Sequence, residues 1–331
     1  LSIRRQRQMC IRDSNKSKSF IKMILSVSRR TDIPAFYADW FFNRIQEGFV
    51  YVRNPMNRHQ ISKINLSPSL IDCIVFWSKN PKPMLDRLNL LNKYMYYFQF
   101  TINPYNTGIE LTVPKKNSVI ETFKRLSDKI GAKRVIWRYD PILLTDNINI
   151  NYHLKYFEEI AKRLYTYTDT CVISFIDLYK KVQRNIINTS AREPCMDEMF
   201  SLAMGIVKIA NSYGITIQSC AEKIELEQLG IKHGKCIDNI LIETLLGIKL
   251  IVSKDKNQRS ECGCVQSIDI GEYNTCSHNC VYCYANFNKS LVLQNKMRHN
   301  PNSPLLIGNI EPDDIIKERK IQSFKMNQLF W

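Results

Sequence analysis

Short apolar runs, each ending in polar residues and most followed by a helical pattern, recur along this chain. That alternation constrains its fold more than any other feature. The runs fall at residues 24–28, 49–52, 73–77, 95–101, 134–137, 171–175 and 215–218. Between them, helices are expected over 34–47, from 118 to about 130, over 152–165 and over 196–213. Asp32 is placed to cap the first helix and Gly48 to end it. Ser118 to Glu121 reads as a capping box, and Gly131 and Gly214 read as stops. Strands that alternate with helices make βα units, whose strands pair in parallel. About seven such units predict an α/β fold, a complete or partial (β/α) TIM-type barrel, with an open doubly wound sheet as the alternative.

The expected organisation is an unstructured leader over 1–22, a barrel-like domain over 23–255, and a cysteine-rich segment over 256–331 that closes the barrel mouth. The basic run at 4–14 has no periodicity and looks like translated sequencing-adapter DNA, so Met23 is the expected start. The other reading is a disordered basic arm that touches nucleic acid. The leader contributes +6 to the net charge of +16. The +10 that remains fits an anionic partner or substrate, or a solvated basic surface. A hydrophobic content of 44% suits a packed core, and no run approaches the roughly 20 apolar residues that span a bilayer. There is no secretory pattern, so the cytoplasm is the expected compartment and no membrane is an expected partner. There, the chain's 11 cysteines read as metal ligands or buried thiols rather than disulfides.

Three of them are decisive. Cys276, Cys280 and Cys283 lie in the run Cys-Ser-His-Asn-Cys-Val-Tyr-Cys-Tyr-Ala, close enough for one tight loop to converge them. Three thiolates bind three irons of a [4Fe–4S] cube and leave the fourth iron open to a small molecule. The alternatives are a zinc site, which wants a fourth ligand that His278 supplies only with awkward geometry, and ordinary core thiols. A second set, Cys220, Cys236, Cys262 and Cys264, reads as another metal site, either Cys₄ zinc or iron–sulfur. Otherwise these are loop thiols and buried small residues.

The local pattern Cys-x-x-x-Cys-x-Tyr-Cys-Tyr-Ala resembles the cluster loop of radical S-adenosylmethionine enzymes, nearest to the spore photoproduct lyase-like subgroup. The resemblance implies that Cys276, Cys280 and Cys283 ligate [4Fe–4S]. It implies that S-adenosylmethionine chelates the open iron, and that Tyr282 packs near the adenine. It also implies an electron donor such as a flavodoxin or ferredoxin. Two departures stand out: the loop follows the βα units instead of preceding them, and no Gly-Gly-Glu-like run follows an early strand. A barrel closes on itself, so a loop after the last unit still lies beside strand one. From Met23 onward the chain is also similar to a prokaryotic domain family of unknown function. That similarity rests on the runs at 26–34, 76–81, 138–141, 219–222 and 267–271, and it implies a fold and a cluster but no substrate.

Arg29, Arg30, Arg53, Lys79 and Arg138 follow predicted strands and would ring one barrel mouth, with Asp140 and Glu222 at the same rim. Such a cluster binds phosphate or carboxylate, or simply pairs with its own acids. Trp77 and Trp137 close strands and either stack on a base or pack the core. No Walker loop, Gly-x-Gly-x-x-Gly run or Gly-x-Ser-x-Gly elbow is present, which argues against an NTPase, a nicotinamide dehydrogenase and an α/β-hydrolase. The leading expectation is a radical S-adenosylmethionine-type enzyme acting on an anionic small molecule or nucleotide. The alternatives are a zinc-stabilised nucleic-acid-binding module and an iron–sulfur electron-transfer protein.

Overall fold

The computed structural model describes residues 23–178, 180–187 and 189–319, and the expected leader lies outside them. In chain order the elements are β1 Met23–Val27, α1 Ile33–Phe36, α2 Ala38–Glu47, β2 Phe49–Arg53, β3 Gln60–Asn65, β4 Ile71–Ser78 and β5 Tyr96–Thr101. There follow α3 Lys116–Ile130, β6 Val135–Ile142, α4 Ile150–Leu164, β7 Thr170–Phe175, α5 Lys180–Ile186, α6 Met196–Ser212, β8 Thr216–Ser219 and β9 Lys232–His233. The last are α7 Asn239–Leu246, β10 Ile268–Asp269, α8 Lys289–Arg298 and β11 Ile315–Glu318.

Eight strands form one parallel sheet in the order β10-β1-β4-β5-β6-β7-β8-β9. From β1 to β9 the order climbs without reversal. Parallel crossovers are right-handed, so such an order keeps the crossover helices on one face. A doubly wound sheet reverses its order and places helices on both faces. The architecture is therefore a partial TIM-like arrangement. β10 joins β1 on its free side through Leu25–Ile268 and Ser26–Asp269, which returns the carboxy-terminal part of the chain to the first strand.

Side chains alternate across the sheet. Leu25, Phe98, Trp137 and Ile173 face the helix layer. Ile24, Val75, Tyr97, Ile136 and Val172 face the other way, and pack against Ile237, Ile242, Cys264 and Val265 of the segment after β9. Both faces are covered, which is why the strands read as near-continuous apolar runs. Among the described residues, no helix is long and apolar enough to cross a membrane.

Several local expectations are corrected. The run at 49–52 is a strand, but β2 pairs antiparallel with β3, which the sequence reading missed, in a separate three-stranded sheet completed by β11. β3 has only Ile61 and Ile64 among polar residues, so it lacks the run of a doubly buried strand. The helix over 34–47 breaks at Tyr37 (φ −133°), although Asp32 does accept from Ala35 N at 2.9 Å and Gly48 does end it with φ +76°. α3 starts two residues before Ser118, capped by no side chain. Cys73, Cys171 and Cys195 lie in strand or helix patterns and are expected in the core; the first two are buried, but Cys195 is exposed at the start of α6.

Candidate functional site

The site begins with the joint between β10 and β1. Asp269 accepts from Ser26 Oγ at 2.7 Å, Ser28 Oγ at 2.7 Å, Arg29 N at 2.8 Å and Gly271 N at 2.9 Å. A Cβ at Gly271 would stand 2.0 Å from Ser28 Oγ, so only glycine lets the chain pass this close to the end of β1. Just beyond it, Asn274 N donates to Ala285 O at 2.9 Å and closes the base of the cysteine loop. Tyr37 OH donates to Thr275 O at 2.6 Å, and Asn286 Nδ2 to Cys276 O at 2.5 Å.

The loop then lies over the carboxyl ends of β1, β4 and β5, the end at which TIM-type folds gather their working residues. Asp32, after β1, organises three segments. Its Oδ1 accepts from Ser78 Oγ at 2.8 Å, and its Oδ2 accepts from Lys79 N at 2.7 Å and contacts His278 Nε2 at 2.8 Å. The segment after β5 runs antiparallel to the loop: Glu110 bridges Cys280, and Val281 N donates to Ile109 O at 3.0 Å.

Glu110 is the hub of a buried polar network. Lys79 Nζ reaches Oε1 at 2.8 Å, Lys116 Nζ reaches Oε2 at 2.5 Å, and Tyr282 OH donates to Oε1 at 2.5 Å. Burial pushes this carboxyl up, but the two ammonium groups outweigh it and hold it at about 2. Asn103 Nδ2 donates to Tyr282 OH at 3.1 Å and to Asp140 O at 2.9 Å.

Cys276, Cys280 and Cys283 are close enough that the charges of Cys280 and Cys283 both act on Cys276. Burial drives all three thiols up, Cys280 to about 12, while Lys79 opposes this at Cys280 and Cys283. The amides of Ala285 and Asn286 direct hydrogen bonds at Cys283. Among the described residues, the one group of three or more His, Cys, Asp or Glu ligand atoms lying within 4.8 Å of one another is His59, Glu311 and Asp313 on the surface. The loop thiols are thus spread wider than the ligands of a single zinc ion, and His278 spends Nε2 on Asp32.

The rim residues divide. Lys79 joins the loop, and its ammonium lies 5.4 Å from the ring centre of Tyr282. Arg30 sits beside it, with Nη1 donating to Gly271 O at 3.3 Å and its guanidinium 5.3 Å from the Tyr273 ring. Arg138 and Arg29 turn to the face opposite the crossover helices. Arg138 Nη1 donates to Cys236 Sγ at 3.0 Å, and its guanidinium pairs with Asp140, which also binds Ser174 Oγ. Arg53 lies elsewhere, on the three-stranded sheet, paired with Asp314. Glu222 accepts from Phe175 N at 2.9 Å; burial, reinforced by Asp177 and Asp140, lifts it to about 8, so it stays protonated at neutral pH. Trp137 packs in the core against Phe157, while Trp77 lies under Arg29.

Sequence reasoning missed Glu110, Lys116 and Asp269. Glu110 lies in the connection after β5 and Lys116 opens α3, both away from any strand end, and nothing in their spacing marks them. Asp269 stood inside the run at 267–271 without a role; four short-range donors give it one.

Among curated proteins, none matches this chain. A solved structure that aligns with it, a candidate alpha-L-fucosidase from Bacteroides thetaiotaomicron VPI-5482, is 13% identical and covers 69% of this chain and 86% of its own, at a TM-score of 0.26. That similarity is too low to carry an argument. The family model described as Domain of unknown function (DUF1848) matches residues 24–285, from β1 through the whole cysteine loop, and the chain is a member of that family.

Proposed function

We propose that this protein is a [4Fe–4S] enzyme of the radical S-adenosylmethionine type that acts on an anionic substrate. One observation carries the reading: Cys276, Cys280 and Cys283 share a loop set over the carboxyl ends of β1, β4 and β5, beside a buried ammonium–carboxylate pair. A cluster bound there would supply one-electron chemistry and an iron with no protein ligand.

The chain's own residues set the surroundings. Ala285 and Asn286 stabilise charge on Cys283 by donating to it. Lys79 offers a cation and Glu110 an anion next to Cys280. That polarity suits the amino and carboxylate groups of an amino-acid moiety, which would exchange partners with the existing ion pair. Tyr282 and Asn103 hold Glu110 in place, and its second oxygen remains neutralised by Lys116. Arg30, one-quarter exposed at the mouth, is the cation best placed to meet an anionic substrate group.

Anaerobic reconstitution is expected to give broad visible absorption, and reduction with dithionite in the presence of S-adenosylmethionine to yield 5′-deoxyadenosine. Substitution of Cys276, Cys280 and Cys283 together by Ala should abolish the nucleoside. Cluster formation without nucleoside would leave an iron–sulfur protein only. Stoichiometric zinc with no sulfide would end the proposal.

A further inference from the structure

A second group of thiols lies apart from the loop, on the sheet face opposite the crossover helices, a face that α7 also covers. Cys220 follows β8, Cys236 follows β9, and Cys262 and Cys264 flank Gly263 in the segment that covers this face. All four are free thiols. Cys220 Sγ and Cys236 Sγ stand 3.2 Å apart, and Cys264 acts electrostatically on Cys236 as Cys262 does on Cys264, so the four thiols are neighbours. Three segments spread over residues 220–264 supply them. The geometry points to Cys220, Cys236, Cys262 and Cys264 as the ligands of a second metal centre, a four-thiolate iron–sulfur cluster held between the sheet and the segment that covers it.

Three features of the surroundings carry this. The backbone at Cys236 is fixed, because Cys236 O accepts from Tyr97 OH at 2.7 Å and from Gln99 Nε2 at 3.0 Å. Two of the sulfurs already accept hydrogen bonds, Cys236 from Arg138 Nη1 at 3.0 Å and Cys264 from Ile237 N at 3.4 Å. Donors aimed at sulfur stabilise thiolates and tune cluster potentials. Finally, two cations face the group. Arg138 is 5% exposed. Arg29 has its Nη2 buried without a hydrogen-bond partner, and its charge is coupled to Cys264, Cys236 and Cys262. A buried guanidinium nitrogen left unpartnered is costly, and four neutral thiols give no reason for it. Four thiolates on iron carry net negative charge, which the two guanidiniums would neutralise.

The spread of the sulfurs selects the type of centre. A tetrahedral zinc with bonds of about 2.3 Å sets its sulfurs nearly 4 Å apart, all mutually close. Among the described residues, no three of these thiols lie within 4.8 Å of one another. Several irons, each taking one or two thiolates, accommodate the wider spread.

The test compares three proteins, each reconstituted anaerobically with iron and sulfide alone. These are the full chain, a Cys276→Ala/Cys280→Ala/Cys283→Ala variant, and a Cys220→Ser/Cys236→Ser/Cys262→Ser/Cys264→Ser variant. The full chain should hold about two to three times the iron and sulfide of the loop variant, according to whether the inner centre has four irons or two; the loop variant keeps its four inner thiols and should retain a cluster visible by Mössbauer spectroscopy. Arg29→Leu, made in the loop variant, should shift the potential of the retained cluster downward by removing a neighbouring cation. The inference is overturned if the loop variant binds no iron, if it binds zinc without sulfide, or if its thiol count falls by two through a Cys220–Cys236 disulfide. The loop variant has lost the proposed catalytic site, so a retained cluster stands whether or not the full chain forms 5′-deoxyadenosine. Because the retained-cluster measurement uses intact inner thiols, misfolding of the four-serine variant does not weaken it.

Discussion

The two thiol groups of this chain differ in how they are built. The mouth loop takes its three cysteines from one stretch of eight residues, so local sequence fixes their spacing and the fold has only to place the loop. The inner group draws on separate segments, so only the folded sheet brings its four sulfurs together. The mouth is neutralised by Lys79, whose partner Glu110 keeps a second ammonium, Lys116. The inner group rests on Arg138 and Arg29, which are less replaceable. A local motif can be carried from one position in a chain to another, whereas a site assembled from remote segments depends on the whole scaffold.

The sharpest way to break this contrast is to delete each group and ask what else is lost. Removing the three loop thiols should abolish nucleoside formation and leave the fold intact, read as an unchanged urea midpoint of the metal-free protein. Removing the four inner thiols should lower the resistance of the metal-loaded protein to urea, because binding to a site formed only on folding adds to stability. Equal stability of the loaded and metal-free inner site would contradict the view that it ties the covering segment to the sheet.

The cations provide the next comparison. Arg138→Met removes the cation from Asp140, which is about one-quarter exposed and keeps Ser174 Oγ, so the loss should fall at the low end for a broken pair, about 3 kcal/mol. Lys79→Met leaves Glu110 still paired with Lys116 and should cost about 2 kcal/mol. Denaturant titrations of the two metal-free variants test this order; a larger loss for Lys79→Met would show that the mouth, not the inner face, holds the less replaceable charge.

Much of this arrangement was legible in sequence, for physical reasons that also explain the gaps. Strands covered on both faces announce themselves as apolar runs, and β1, β4, β5, β6, β7 and β8 were found that way. β3, in the small sheet, carries only two apolar residues among polar ones and was passed over, and with it went the true setting of β2. Asp32 was readable as a cap because capping is local. Its second set of partners, Ser78, Lys79 and His278, comes from across the sheet and leaves no trace in spacing. Glu110 was invisible for the same reason: a lone carboxylate in a connection looks solvated until the fold brings two lysines and a tyrosine to it.

A third region separates scaffold stability from both thiol groups. His153 on α4 is fully buried between Tyr139 OH, 2.8 Å from Nδ1, and Leu143 O, 2.8 Å from Nε2. Burial lowers it to about 4. The unfolded chain, with an ordinary value near 6.5, then binds a proton that the folded chain refuses. The stability this group contributes is fully present above about pH 6.5 and is lost as pH falls toward about 4, by on the order of 3 kcal/mol. The slope of the urea midpoint over this window should flatten in His153→Gln; an unchanged slope would assign the loss to other groups.

Gly271 tests the joint on which the mouth depends. An added Cβ meets Ser28 Oγ at 2.0 Å and Ser28 Cβ at 2.6 Å, so Gly271→Ala should cost about 1–3 kcal/mol through overpacking. Ser28→Gly in the same protein should recover more of this than Ser28→Ala, which leaves the second clash. No difference between the two rescues would mean that the backbone, not Ser28, gives way.

The smallest expected effect concerns Arg53, which the sequence groups with the mouth cations. Its guanidinium is held by Asp314 at 2.5 and 2.8 Å and by Asn309 O at 3.0 Å, on the three-stranded sheet. Arg29, Arg138 and Lys79 each act on the sulfurs of one thiol group or the other, whereas Arg53 is bound away from both. Arg53→Ala should therefore leave iron, sulfide and nucleoside yield at the level of the full chain. Arg30→Ala, at the mouth, should raise the concentration of anionic substrate needed for half-maximal turnover without changing cluster content. Should Arg53→Ala lower turnover as much as Arg30→Ala, substrate recognition extends to the small sheet, and the division between mouth and inner face would no longer account for the rim cations.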